Sequence, residues 1–321
     1  MKLFPLHLIP NDTRIDFMRI RWVSITIAAL LFVVSVGLIA VKGFNYALDF
    51  TGGTVIETRF ATPANVDDVR GRLEQAGYGS AQVQSFGSGT DLLIRLQPRD
   101  GQSTTDANNR TAQEVLAAVS TPDNAATVMR TEFVGPQVGK ELALNGIYAA
   151  LFVVVGFLIY IGFRFELKFA AVATLTTMFD VLVVAAFFAA TGREFDLTVL
   201  AGLLSVMGFS INDTIVVFDR VRENFRSLRV DPLEVMNRSI NQTLSRTIIT
   251  SLVFFLSVLA LYLYGGGSLE GLALTQMIGA VIGTLSSIFI ACPLLTIGFL
   301  KVTKQDLLPK AKDDPALARR P

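Results

Sequence analysis

The chain has 321 residues, of which 51% are hydrophobic and 17% charged, with a mean hydropathy of +0.51 and a formal net charge of +1. Soluble domains carry roughly 25% charged residues, so an ordinary soluble globular protein is excluded, and near-neutrality removes any general electrostatic case for nucleic acid. One cysteine, Cys292, sits in an apolar run and one histidine, His7, in the N-terminal tail, which leaves no internal disulfide and no metal site of imidazoles or thiolates. No cofactor is expected, and Cys292 reads as a buried apolar thiol.

Residues 22–41 form a run without charge, long enough for a helix of roughly 30 Å to cross the hydrocarbon core. A cleaved signal peptide has an apolar core of roughly 7–15 residues, so this longer run is expected to be an uncleaved anchor. Hydrophobicity then lapses for about a hundred residues and returns at 142–163, 169–190, 197–218, 247–264 and 272–300. The expected architecture is an all-α membrane bundle of six transmembrane helices, arranged as one plus five. Lys2, Arg14, Arg19 and Arg21 precede the first span, Arg164 and Lys168 fill the second hairpin, and Arg220, Arg222, Arg226, Arg229 and Arg238 crowd the connection after the fourth. The opposite short connections, 191–196 and 265–271, carry only Arg193, so the positive-inside rule puts residues 1–21 and the tail 301–321 in the cytoplasm.

The segment 42–141 then faces the periplasm. Its alternation and turn residues predict a strand at 55–60, a helix at 65–76 with Val66, Val69 and Leu73 on one face, and a strand at 81–86. A Gly-Ser-Gly turn at 87–89, a strand at 91–97, a helix at 105–120 and a strand at 127–134 complete a βαββαβ order, the ferredoxin-like α+β arrangement. The polar stretch 97–109 is expected to be a mobile surface loop. This fold hosts many functions and does not identify an activity.

Charges within spans are the informative positions, because an Asp at the centre of a membrane helix costs about 2.5–3.5 kcal/mol on insertion scales. Asp180 falls near the middle of the third span, with Thr176, Thr177 and the small Ala173 on the same face. Asp213 falls in the fourth, with Phe209 and Ser210 one turn before it, Val217 one turn after, and Asn212 and Thr214 beside it. Arg246, on a stripe with Gln242, Thr243 and Thr250, is the candidate counter-ion. The structural alternative is an interfacial anchor that snorkels to the headgroups, but span charges usually pair or line an ion path. Asp219, Arg220, Arg222 and Glu223 form i,i+3 surface pairs next to lipid, and Gly279 and Gly283 make a GxxxG that, with Gly202 and Gly208, permits close helix approach. No Walker A, HExxH or GxSxG sequence occurs, so no enzyme is expected.

Residues 43–54 read GFNYALDFTGGT, 132–142 EFVGPQVGKEL, 160–168 YIGFRFELK, 208–225 GFSINDTIVVFDRVRENF and 245–251 SRTIITS. With the spacing of spans, these segments resemble the SecF side of the SecD/SecF family, within the resistance-nodulation-division superfamily, over nearly the whole chain. The resemblance implies an inner-membrane subunit that uses the proton motive force in late steps of protein export. Its implied partners are SecD, the SecYEG channel, YajC, YidC and the unfolded polypeptide in transit, with no nucleic acid. It implies proton coupling at Asp213 and Arg246 and a motif after the first span carried by Asp49, Gly52 and Gly53; the charges and polar residues of the spans themselves add Asp180 as a further coupling candidate, with Asn212, Ser210, Thr214 and Thr250 as supporting polar residues. At Phe179 many relatives carry His, so an imidazole relay does not carry over. Two readings stand beside this one: a noncatalytic scaffold in which Asp213 and Arg246 are a structural ion pair, and half of a proton-coupled small-molecule exporter. The small extramembrane domain argues against the exporter. Asp and Ser/Thr ligands suit either H⁺ or Na⁺.

Overall fold

The computed structural model describes residues 13–86, 89–97 and 105–303. His7, Lys2, the tail beyond 303, most of the expected turn at 87–89 and residues 98–104 of the expected loop lie outside the described residues. The chain divides into a helical unit, made of the chain up to Phe44, Ala150–Arg193 and the chain from Thr198, and an α+β unit, made of Asn45–Ala149 with Glu194–Leu197.

Among the described residues, six helices are long and apolar enough to cross a membrane. They are α1 (Arg21–Lys42), α5 (Pro136–Arg164), α6 (Leu167–Thr191), α7 (Leu197–Ser227), α8 (Pro232–Tyr264) and α9 (Gly267–Ser286), with α2 to α4 belonging to the other unit. The exposed surface of α1, and of α5 between Ile147 and Phe163, is almost entirely apolar, as at Phe32, Val33, Phe152 and Phe163, whereas α6, α7 and α9 are half buried. Lipid solvates the first kind of helix; the second must satisfy its polar groups inside the protein.

Several helix ends differ from the hydropathy boundaries. α8 begins at Pro232, well before the apolar run at 247, because Asp231 caps it by accepting from Leu233 N (3.0 Å) and Pro232 suits the first turn. α9 gives way to a π-helical turn at Ser287–Ala291 and the helix stops at α10 (Cys292–Leu294), short of the expected 300. Pro293 lacks an N–H and its ring would crowd the carbonyl of the preceding turn, so the wider π geometry accommodates it. The core of this unit joins Phe169, Phe218, Met236, Ile240 and Leu295 to the N-terminal residues Phe17 and Met18. Asn237 and Asn241 of α8 clamp the latter segment: Asn237 Oδ1 accepts from Met18 N at 2.9 Å and Asn241 Oδ1 from Ile15 N at 3.0 Å.

The α+β unit has the order β2 (Gly53–Phe60), α3 (Val66–Gln75), β3 (Gln82–Phe86), β4 (Asp91–Leu96), α4 (Thr105–Val119) and β5 (Ala126–Val134). Its sheet is antiparallel throughout, in the order β3-β4-β2-β5. Alternation on β4 buries Leu92, Ile94 and Leu96, and Val69 and Leu73 of α3 with Val115 and Val119 of α4 close over them. Full burial of each such side chain contributes about 1.5–3 kcal/mol. Asn65 caps α3 by accepting from Asp67 N at 2.9 Å. Two elements were not legible in the sequence: a one-turn helix α2 (Leu48–Thr51), and a two-residue parallel ribbon that pairs β1 (Asn45–Tyr46) with β6 (Glu194–Phe195).

Candidate functional site

Asp180 and Asp213 are both buried inside the helical unit, at 0% and 3% exposure. Asp180, on α6, accepts through one oxygen from the hydroxyls of Ser210 on α7 and Ser286 on α9, the latter at 2.8 Å; its other oxygen has no partner among the described residues. Asp213, on α7, accepts from Ser251 of α8 at 3.3 Å, and Ser251 in turn accepts from Thr284 of α9 at 2.7 Å. Each carboxyl therefore sits where three helices meet and is held by hydroxyls. The buried hydroxyls of Thr176, Thr177, Thr214 and Thr247, without a partner among the described residues, add further polar atoms to α6, α7 and α8.

Two of these hydroxyls face a choice of acceptor. Ser286 Oγ also lies 3.1 Å from the carbonyl of Gly283, and Thr284 Oγ1 lies 2.6 Å from that of Ala280. One hydroxyl carries one proton, so each can satisfy only one acceptor at a time. An ionised carboxylate only accepts, whereas a carboxylic acid also donates. A proton on the Asp180 oxygen that accepts from Ser210 and Ser286 would compete with those hydroxyls, and the Gly283 carbonyl is the alternative acceptor for Ser286.

Close helix approach makes this convergence possible. A Cβ on Gly279 would overlap the side chain of Val206, and one on Gly283 would lie 3.3 Å from Ser210 Cβ, so α9 lies directly against α7. On the side of α7 beyond Asp213, Asn224 Nδ2 donates to Ser239 Oγ and Gln242 Oε1, each at 2.9 Å, and ties α7 to α8.

The other residues expected at the site fall differently. Ser210 and Thr214 are buried with the carboxyls, but Asn212 turns to the exposed face of α7 with Ser205 and Gly208. Arg246 is exposed, and no ion pair joins it to Asp213 among the described residues. Thr250 is exposed too, and its hydroxyl returns to its own helix, 2.9 Å from the Arg246 carbonyl. The physical reason is rotation about α8: the buried stripe is Thr243, Thr247 and Ser251, one position round from Arg246 and Thr250. Ser251, Thr284 and Ser286 were not singled out from the sequence; the i,i+4 repeat of small hydroxyl residues through 243, 247 and 251 was the available signal.

The glycine-containing segment after α1 lies in the α+β unit. Asp49 Oδ2 accepts from Leu197 N at 3.0 Å, at the first residue of α7. Gly53, at φ +123°, leaves no room for a Cβ beside the carbonyl of Leu96, and Gly52, at φ +68°, lets α2 turn into β2. Gly139 completes the knot, since a Cβ there would lie 3.0 Å from Gly52 N.

Comparison with known proteins places this arrangement. The family described as protein export membrane protein SecD/SecF, C-terminal, matches residues 114–299, and the SecD/SecF GG motif matches residues 37–64. Protein translocase subunit SecF of Escherichia coli O157:H7 is 42% identical over 308 residues, covering 94% of each chain, and that of Pseudomonas aeruginosa is 44% identical over 303 residues, covering 93% of this chain and 96% of its own. The crystal structure of SecDF, a translocon-associated membrane protein from Thermus thermophilus, superposes with a TM-score of 0.78 at 36% identity, over 90% of this chain and 39% of the longer SecDF chain. The chain is a multi-pass membrane protein and belongs to the SecF family of the SecD/SecF protein-export membrane proteins.

Proposed function

We propose that this chain is the SecF subunit of a SecD/SecF accessory to the Sec translocase, which uses the proton motive force to promote late steps of protein export across the inner membrane. The observation that carries this reading is the pair of buried carboxyls, Asp180 and Asp213, each held by hydroxyls from neighbouring membrane helices. Buried ionisable groups in spans are expensive and are kept for ion paths or pairing, and no counter-ion touches these two among the described residues. That geometry favours coupling over a static scaffold built on an Asp213–Arg246 ion pair.

In this reading both termini are cytoplasmic and the α+β unit is a periplasmic, ferredoxin-like domain, supported by its strand order and by the arginines flanking the spans. SecD supplies a second half, in keeping with a solved SecDF chain much longer than this one. SecYEG, YajC, YidC and the emerging polypeptide are the remaining partners. The chain is not an enzyme. Asp213 exchanges protons, Asp180 lies beside it in the same hydroxyl-rich interior, and Arg246 acts on Asp213 at long range. One elementary charge crossing about 100 mV is worth about 2.3 kcal/mol, enough to bias a two-state equilibrium of the helices.

The test is gradient-dependent release of an exported protein from vesicles carrying this chain with SecD, comparing wild type with Asp213→Asn at matched assembly. Loss of the gradient-dependent part is the expected result. Unchanged release in the variant overturns the coupling role and leaves the scaffold.

A further inference from the structure

Residues 194–197 belong by their packing to the α+β unit, yet the next residue, Thr198, belongs to the helical unit. These four residues lead directly into α7, the helix that carries Ser210 and Asp213. They are held by several independent contacts. The first N–H groups of a helix have no partner within it, and here Asp49 Oδ2 takes that of Leu197 at 3.0 Å, from 148 residues earlier in the chain. Glu194 and Phe195 pair in parallel with Asn45 and Tyr46, and Ala47 N donates to the Phe195 carbonyl at 2.9 Å. The Phe195 ring lies 6.1 Å from that of Tyr46 and 6.0 Å from that of Phe50.

The sheet itself holds on through Arg95. This side chain, on the interior strand β4, is only 11% exposed, and its Nη2 lies 2.6 Å from Glu194 Oε1 while Nη1 donates to the Tyr46 carbonyl at 3.3 Å. A guanidinium that spans two acceptors in a largely buried site fixes orientation as well as distance. The chain enters the α+β unit at residues 44–45 and leaves it through the continuous helix α5 at 149–150; residues 194–197 make a third attachment, and it alone leads into α7.

We infer that Arg95–Glu194 and Asp49–Leu197 form the transmission link through which a displacement of α7 is delivered to the sheet of the α+β unit. Arg95, Glu194 and Asp49 are then positioning residues: they touch neither the proton site nor any group in it, and they act through the N-terminal end of α7. A flexible connection of the same length would absorb an axial or rotational shift of the helix, whereas a strap fixed by a charge pair, a ribbon and a helix-end carboxylate passes it on. The inference rests on the proton-coupling reading above.

The experiment uses the full chain with SecD in vesicles and measures two quantities in each variant: gradient-dependent release of an exported protein and gradient-driven proton flux. Arg95→Gln and Glu194→Gln are each expected to lower release about tenfold or more while flux stays within about twofold of wild type, which a simple loss of folding does not produce. The charge-swapped double variant, Arg95→Glu with Glu194→Arg, is expected to recover release over either single reversal. Asp49→Asn, which keeps an oxygen for the Leu197 N–H, is expected to stay near wild type while Asp49→Ala loses release. Should the Arg95 variants fail to assemble with SecD, the contrast between the two Asp49 variants decides the question. Unchanged release in the single variants, or release and flux falling together, overturns the link. If Asp213→Asn retains full release, it is the coupling reading that fails; if Asp213→Asn loses release and the strap variants do not, only the link fails.

Discussion

The approach of α9 to α7 sets the geometry of the buried carboxyls, and Gly279→Ala probes it directly. A Cβ at Gly279 would overlap the Val206 side chain, whereas nothing lies within 4 Å of the corresponding position on Gly156 of α5. Both glycines are inside helices, so both replacements gain about 1 kcal/mol in helix propensity. The difference between them isolates the clash, and forcing an extra methyl into a packed interface costs about 1–3 kcal/mol, a factor of roughly 5 to 160 in the unfolding equilibrium. Gly156→Ala is therefore expected to stabilise the chain slightly, and Gly279→Ala to fall about 1–3 kcal/mol below it, read from unfolding of the purified protein in one fixed detergent. In a Val206→Ala background the gap should close, as expected of two residues in direct contact. Because Gly283 lies beside Ser210 on the same interface, Gly279→Ala should also reduce gradient-dependent release. Equal stability of the two alanine variants, with or without Val206, would refute the close approach of α7 and α9.

Ser286→Ala and Ser251→Ala each remove a hydroxyl from a buried carboxyl and are expected to impair gradient-dependent release; Thr250→Val, whose hydroxyl bonds its own helix, should leave release unchanged and stability within about 0.5 kcal/mol. Gly53→Ala places a side chain at φ +123° against the Leu96 carbonyl, and the strain alone costs about 1–3 kcal/mol, which thermal unfolding should register as destabilisation. In the α+β unit the hydrogen bond from Arg59 holds the Asp91 carboxyl below its usual range. A carboxyl depressed in the folded state contributes stability that is present above its unfolded pKa and lost as pH falls through the folded value. Arg59→Met should therefore move the acid-induced loss of amide protection in β4 to higher pH; an unmoved transition would show that the pair contributes nothing.

Much of this protein is legible in its residue order because hydropathy, alternation and charge are local properties. The apolar runs mark the helices, the alternation of Leu92, Ile94 and Leu96 marks a strand, and Asp180 and Asp213 stand out as charges in apolar surroundings. The four longer strands and two longer helices of the α+β unit follow from the same periodicities. What one helix touches is not local. Two stripes on α8, Arg246 with Thr250 and Thr247 with Ser251, have the same spacing in the sequence, and only packing against α7 and α9 decides which one meets Asp213. Likewise Ser286 becomes a partner of Asp180 only because α9 packs against α6, across 106 residues of chain. The ribbon of Asn45–Tyr46 with Glu194–Phe195 is too short to carry any alternation, and it exists because Arg95 and Asp49 hold residues that lie far from them in the sequence, 148 positions away in the case of Asp49 and Leu197. The sequence by itself therefore determined the elements and their charged positions, whereas the tertiary structure alone decided which polar atoms meet, because that depends on helix rotation and approach distance rather than on any property of a single segment.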